Sequence, residues 1–131
     1  QNTYGRIVAI TSTSIKKSMI NLVLSNSVRL GLIGYLRTLA NEVGKDNILV
    51  NTVCPGPTNT ERLDNLLKKI SESKNITLAE EISERTAQIP LGRFGAPHEL
   101  ADLVTFLISA RNTYITGQVI AVDGGLTNTI F

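Results

Sequence analysis

Ile48-Leu49-Val50-Asn51-Thr52-Val53, entered through Lys45-Asp46-Asn47 and left through Pro55-Gly56-Pro57, is the stretch that decides the fold. It is rich in Val and Ile, bounded by turn residues, and broken only by Asn51 and Thr52. A strand that is apolar at odd and even positions alike is covered on both faces, the situation of a parallel sheet between layers of helices. Two further runs read the same way. Ile7–Ile10 follows Gly5-Arg6, and Val119–Val122 follows Thr116-Gly117-Gln118.

The segments between these strands read as helices. From Ser25 to Val43 the residues Val28, Leu32, Ile33, Leu36, Ala40 and Val43 recur at helical spacing, and Gly44 is a good C-terminal stop. Gly31 and Gly34 each cost roughly 1 kcal/mol against alanine inside a helix. Their presence predicts that another helix or strand approaches closely there. Thr77 with Glu80 forms a capping-box pattern that starts a helix running to about Gln88. Pro97 opens a last helix with Leu100, Ala101, Leu103, Val104, Leu107 and Ile108 as its expected buried face. Strand, helix, strand, helices, strand gives two right-handed crossover units. The predicted fold is therefore α/β, a parallel sheet of three strands with flanking helices.

The 131 residues fit one domain. The stretch Glu61–Arg85 is dense in mixed charge and follows the chain-bending Pro55-Gly56-Pro57. Residues 61–88 read equally as a lid-like insertion over a site or as two exposed surface helices. With 42% hydrophobic and 18% charged residues and a formal net charge of +2, nothing argues for nucleic acid or a membrane surface as partner. One cysteine, Cys54, excludes an internal disulfide and a cysteine-based zinc cluster, and one histidine, His98, argues against a multi-histidine metal site. Cys54 is expected to be a small packed residue. No signal peptide and no apolar run of about 18 residues is found, so a cytoplasmic protein without a membrane span is expected.

Four patches in order carry a resemblance to one family. They are Gly5–Ser12, Asn51–Thr60, Pro90–Glu99 and Thr116–Gly125. Together they resemble the fifth strand with its catalytic serine, the sixth strand with its "PG" loop, the entry to the last long helix, and the closing strand of the short-chain dehydrogenase/reductases. The likeness is to 3-oxoacyl-(acyl carrier protein) reductase-like members in particular. It implies the C-terminal half of a Rossmann-type sheet, without the N-terminal nucleotide-binding half. The glycine-rich phosphate loop is not found, and a G-x-x-x-G-x-G motif is absent. The expectation is a fragment, a processed product, or a subunit whose other half is separate, with Ile7–Ile10 left as an exposed edge.

The resemblance also implies site residues. Ser12 takes the place of the catalytic serine. Thirteen residues on, where the family has its tyrosine, stands Ser25, and four further on, where it has its lysine, stands Arg29. Pro55, Gly56 and Pro57 would lie beneath a nicotinamide, and Thr58 and Thr60 beside its pyrophosphate, with Arg29 donating to ribose hydroxyls. NAD or NADP is thus the implied cofactor, and a small-molecule carbonyl or alcohol the implied substrate. The family's association implies a homo-oligomer, a dimer or tetramer.

The two replacements bear on chemistry. A tyrosine phenol starts near pKa 10 and needs only a modest shift to act as proton donor, whereas a serine alcohol is a much weaker acid. Arginine keeps the charge of lysine with a different donor geometry. Positions 25 and 29 share one helical face. Ser25 and Arg29 also suit a helix N-cap and a surface cation. Two functional readings follow: an NAD(P)-dependent oxidoreductase with Ser25 and Arg29 in place of the usual pair, or a catalytically impaired member that binds nucleotide or serves assembly. An inactive fragment is the third.

Overall fold

The structure, a computed structural model, describes residues 4–16 and 22–129. Strand β1 (Gly5–Ile10) leads through a 3₁₀ turn (Thr13–Ile15) to helix α1 (Val23–Val43), and a second 3₁₀ turn (Gly44–Asp46) leads to β2 (Ile48–Pro55). Helices α2 (Glu61–Lys74), α3 (Leu78–Thr86) and α4 (Pro97–Ile108) follow, then β3 (Val119–Val122). The strands form one sheet in the order β1-β2-β3, and both pairings are parallel. Ile7 pairs with Val50, Ile10 with Val53, and Val53 with Ile120.

Strand β2 is central, and Leu49 through Cys54 are all buried. The two residues that interrupt its apolar run are accounted for. Asn51 donates through Nδ2 to the Ile115 carbonyl (2.8 Å) and accepts the Gln118 N–H on Oδ1 (3.1 Å), and the Thr52 N–H donates to the Gln118 carbonyl (2.8 Å). A buried amide with both ends satisfied is tolerated in a core, and here it fastens the approach to β3. Leu36, Ala40 and Val50 form one core cluster with Ala9, Leu39, Val43 and Ile48 around it. A second cluster, Leu67, Ile89 and Phe94, lies beneath α2 and α3 with Leu63, Leu78, Ile82 and Leu126.

Several expected core positions are exposed. Val28 is 72% accessible and Leu32 40%, while only Leu36 and Ala40 of α1 are buried. A helix of 21 residues is about 31 Å long, whereas the six-residue β1 spans about 20 Å, so the N-terminal half of α1 overhangs the sheet. A Cβ built on Gly31 or Gly34, near the middle of α1, meets nothing within 4 Å, so the close approach expected at them is not made within the described residues. In α4 only Leu107 is buried; Ala101 and Ile108 face outward because the helix packs on β1 and β2 and the sheet stops at β1. The outer strand β1 leaves Ile7 and Ile10 exposed.

The segment 61–88 folds as a helical hairpin. Thr77 caps α3 through the full capping box with Glu80, and α3 ends at Thr86. Glu81 is fully buried and is held by Lys74 Nζ (2.6 Å) and Arg85 Nε (2.5 Å). These two cations keep its carboxyl below the usual range, and they lock α3 onto α2. No helix among the described residues is long and apolar enough to cross a membrane.

Candidate active site

The ends of β1 and β2 meet side by side. The Thr11 N–H donates to the Val53 carbonyl (2.9 Å), and the Thr11 hydroxyl lies 3.2 Å from the Cys54 sulfur. Cys54 is buried, and burial pushes its thiol up despite the Thr11 bond, so it packs rather than reacts. Ser12 follows in extended conformation and caps the 3₁₀ turn, its Oγ accepting the Ser14 N–H at 3.2 Å. With a lone pair so used, the Ser12 hydroxyl proton is left for an acceptor outside.

Helix α1 begins at Val23, with Leu22 at the N-cap making no side-chain cap, so Ser25 lies inside the first turn rather than capping it. Arg29 Nε donates to Ser25 Oγ at 3.0 Å, as their shared helical face requires. This bond occupies Nε and leaves the two terminal nitrogens of Arg29 for other acceptors.

Strand β2 leaves the sheet against the turn that follows β3. The Gly56 N–H donates to the Val122 carbonyl (2.9 Å), and a Cβ on Gly56 would sit 2.5 Å from Asp123 Cβ and 2.8 Å from its Cα. Only glycine fits that approach. Asp123 is fixed in turn. Burial pushes its carboxyl up, but bonds from the Thr127 hydroxyl and N–H and from the Gly125 and Leu126 N–H groups outweigh this and hold it below its usual value. The loop is then zipped to residues 94–96: Gly95 N–H donates to Pro57 (3.0 Å), and Asn59 N–H to Gly95 (2.8 Å). Arg93 grips Glu99 with two bonds (2.8 and 2.7 Å), and the Ala96 N–H adds a third (2.7 Å). The guanidinium and this N–H lower the Glu99 carboxyl to about 2.

These pieces enclose a cleft of about 540 Å³ at the carboxyl ends of β1 and β2, where open parallel sheets bind ligands. Thr11, Ser12, Arg29, Pro55, Gly56, Pro57, Thr58, Thr60, Arg62, Leu63, Leu66, Pro97 and Leu100 line it. Ser12, Arg29 and the five loop residues named from the sequence therefore share one cavity. Ser25 does not border it and reaches it only through Arg29. Arg62 was hidden in the charged stretch after residue 60. Its signal was its place in the first turn after Thr60, which caps α2 by accepting the Leu63 N–H at 3.3 Å. Leu63, Leu66 and Leu100 supply the apolar wall.

The residues present suit one side of a nicotinamide cofactor. The Thr58 hydroxyl is spent on the Gly56 carbonyl (3.0 Å), whereas the Thr60 oxygen is an acceptor whose own proton remains to donate. Beside it stand the first N–H groups of α2, which have no partner within the helix, as an anionic ligand requires. Thr60 and the first backbone N–H groups of α2 would face the pyrophosphate, and Pro55–Pro57 the nicotinamide. Bound there, the group would supply the hydride.

A parallel sheet in this order, with its crevice at the strand ends, is the C-terminal half of a Rossmann-type sheet. The family model described as enoyl-(acyl carrier protein) reductase matches residues 1–127, and the chain belongs to the short-chain dehydrogenase/reductase family. Within that family it resembles the 3-oxoacyl-(acyl-carrier-protein) reductases. The FabG of Aquifex aeolicus is 40% identical over 124 residues, 94% of this chain and 45% of the relative. Carbonyl reductase family member 4 of Xenopus tropicalis is 41% identical over 122 residues, 93% of this chain and 45% of the relative. Among solved structures, YwfH, an NADPH-dependent reductase involved in bacilysin biosynthesis, superposes with a TM-score of 0.91 at 30% identity, covering 99% of this chain and 50% of its own. An actinorhodin polyketide ketoreductase with NADPH superposes at 0.87 and 31% identity, covering 97% of this chain and 49% of its own. The chain spans about half the length of the relatives it matches.

Proposed function

We propose that the protein containing this chain is an NAD(P)-dependent reductase of a small carbonyl compound, with Ser12 and Arg29 at the reacting oxygen and Ser25 positioning Arg29. The observation that carries the reading is that Ser12, Arg29 and the loop from Pro55 to Thr60 line one cleft at the strand ends. The Ser12 hydroxyl donates to the substrate carbonyl oxygen. Arg29, a cation with donors and no acceptor, stabilises the negative charge that develops on that oxygen. Its Nε tether to Ser25 holds the guanidinium plane fixed, so little reorganisation accompanies the reaction. The apolar side chains of Leu63, Leu66 and Leu100 lower the local dielectric and strengthen both contacts. The alkoxide oxygen, held by Ser12 and Arg29, takes its proton from solvent water at the open mouth of the cleft, and the hydroxide left behind is neutralised by the bulk buffer.

Helix α2 of the α2–α3 hairpin supplies Arg62, Leu63 and Leu66 to the cleft wall, the place of a lid over the site. The overhanging apolar face of α1, with Val23, Leu24 and Val28 exposed, is the surface on which copies of the protein associate.

A second reading rests on the tyrosines. Tyr4, Tyr35 and Tyr114 are all exposed, and none lines the cleft. A member without a phenol at the site would bind nucleotide or serve assembly without turnover. The test is NAD(P)H oxidation by the protein as encoded, flanking residues included, against a panel of ketones and aldehydes, beside the Ser25→Tyr, Arg29→Lys double variant. Turnover by the wild type is expected. Turnover gained only by the double variant would establish the non-catalytic reading instead.

A further inference from the structure

Among the described residues the cleft is lined by two arginines and no acid. Arg29 and Arg62 line it together, and the remaining lining residues are threonine, serine, proline, glycine and leucine. Elsewhere, Arg85 and Lys74 pair with Glu81 and Arg93 with Glu99. Neither Arg29 nor Arg62 makes an ion pair among the described residues, although Glu61 and Asp64 flank Arg62 in sequence. The one bond recorded for Arg29 uses Nε, which leaves its Nη pair unengaged. Arg29 is half-buried and three leucine side chains share the cavity. Both side chains border the same cleft, so an anion bound there would meet two positive charges and no negative one among the described residues.

The geometry points to Arg29 and Arg62 as a two-guanidinium clamp for an oxyanion on the substrate, so that the site selects carbonyl compounds bearing a carboxylate or another anionic group. This rests on the reading of the cleft as the substrate site. Arginine is suited to the task because its planar fork of donors matches the two oxygens of a carboxylate. The N-terminal turn of α2, which carries Arg62, adds its own positive potential on the same side. An anion in this cleft has a second possible source, the pyrophosphate of the cofactor, and the experiment separates the two.

Isothermal titration of the protein as encoded, saturated with NADP+, is carried out with 4-methyl-2-oxopentanoate and with its methyl ester. The two have closely similar carbon skeletons and differ in charge. The wild type is expected to bind the acid at least about tenfold tighter than the ester, with the preference shrinking as salt is raised. In Arg62→Gln the acid-to-ester ratio falls to about one, while NADPH affinity, followed by its fluorescence, stays within about twofold. Arg62→Lys, which keeps the charge without the fork, retains part of the preference. Arg62 is exposed, so these variants are not expected to disturb folding. Equal affinity of the wild type for acid and ester overturns the proposal. So does an Arg62→Gln variant that weakens NADPH about tenfold and leaves the ratio intact, since the clamp then reads the cofactor. A binding preference without any turnover would sink the reductase reading and leave the clamp standing; turnover without preference would do the reverse.

Discussion

Replacing Gly56 with alanine is expected to weaken folding and the site together, and the size of the effect follows from the path of the chain. The added Cβ falls 2.5 Å from Asp123 Cβ and 2.8 Å from Asp123 Cα. Ordinary carbon contacts lie near 3.5 to 4 Å, so about 1 Å of separation must be found. Asp123 has no room to give. Its carboxylate is bound by the Thr127 hydroxyl (2.6 Å) and by the Thr127 and Gly125 N–H groups (2.9 and 3.0 Å). The Gly56 N–H is bonded to Val122 on the same strand end. The displacement must then pass into the loop that forms the cleft floor. Overpacking of this kind costs about 1–3 kcal/mol.

Gly44→Ala is the matched control. It adds the same methyl at φ −59 and ψ −39, with nothing within 4 Å. It is expected to stabilise by about 0.4–1 kcal/mol, through the unfolded chain. Urea unfolding measures both. With a slope of about 2 kcal/mol per molar, Gly56→Ala lowers the midpoint by roughly 0.5–1.5 M and Gly44→Ala raises it by a few tenths. NADPH binding should weaken in the first variant only. A Gly56→Ala protein within about 0.3 kcal/mol of the wild type would refute the reasoning, because the loop and the turn after β3 would then not press on one another.

Ser25→Ala removes the bond that holds Arg29 Nε and is expected to lower kcat about twofold to tenfold with little change in substrate KM, while Ser25→Thr, which keeps the hydroxyl, restores most of it. The pH profile of kcat is expected to be flat from about pH 6 to 9, because the described lining of the cleft holds no His, Cys, Lys, Tyr, Asp or Glu; a steep limb in that window, read by NADPH absorbance, would require a titrating donor outside this set. The Glu99 carboxyl is lowered from 4.5 to about 2 by Arg93 and the Ala96 N–H, so its stabilisation is complete above the unfolded value and is lost as pH falls from there toward about 2. The difference in urea midpoint between wild type and Glu99→Gln should therefore be largest near neutrality and vanish in acid.

Much of the fold was legible because its signals are local. Apolar runs bounded by turn residues placed all three strands, Thr77 with Glu80 placed the start of α3, and Pro97 placed the start of α4. Burial on the helices was legible only as a stripe. Val28 and Leu32 lie on the same stripe as Leu36 and Ala40, yet the sheet runs out beneath them, and helix periodicity carries no information about strand length. The loop residues of the cleft were found because Pro55-Gly56-Pro57 bends the chain at a strand end. Arg62 was passed over among the charges of the stretch Glu61–Arg85, although its place two residues after the Thr60 cap, in the first turn of α2, was the signal that sets it at the cleft's edge. The Gly95 and Asp123 supports were equally hidden, one bridging to Thr58 and the other pressed against Gly56.

On the reading proposed for position 25, a serine there alters the site while the fold persists. The position sits in the first turn of α1, with Arg29 one turn further along, as the sequence spacing required. A phenol at this point reaches several bonds beyond Cβ, far enough to enter a cavity that the helix itself only borders. A serine hydroxyl stops at the helix surface, where it accepts a bond from the Arg29 Nε. On that reading the serine leaves the cleft without a phenol and sets beside it a cation that Ser25 steadies. A cation that donates hydrogen bonds but releases no proton favours substrates whose developing charge needs neutralising more than it needs immediate protonation. The second unpaired arginine in the same cavity strengthens that bias, because both charges act on whatever anion the cleft admits.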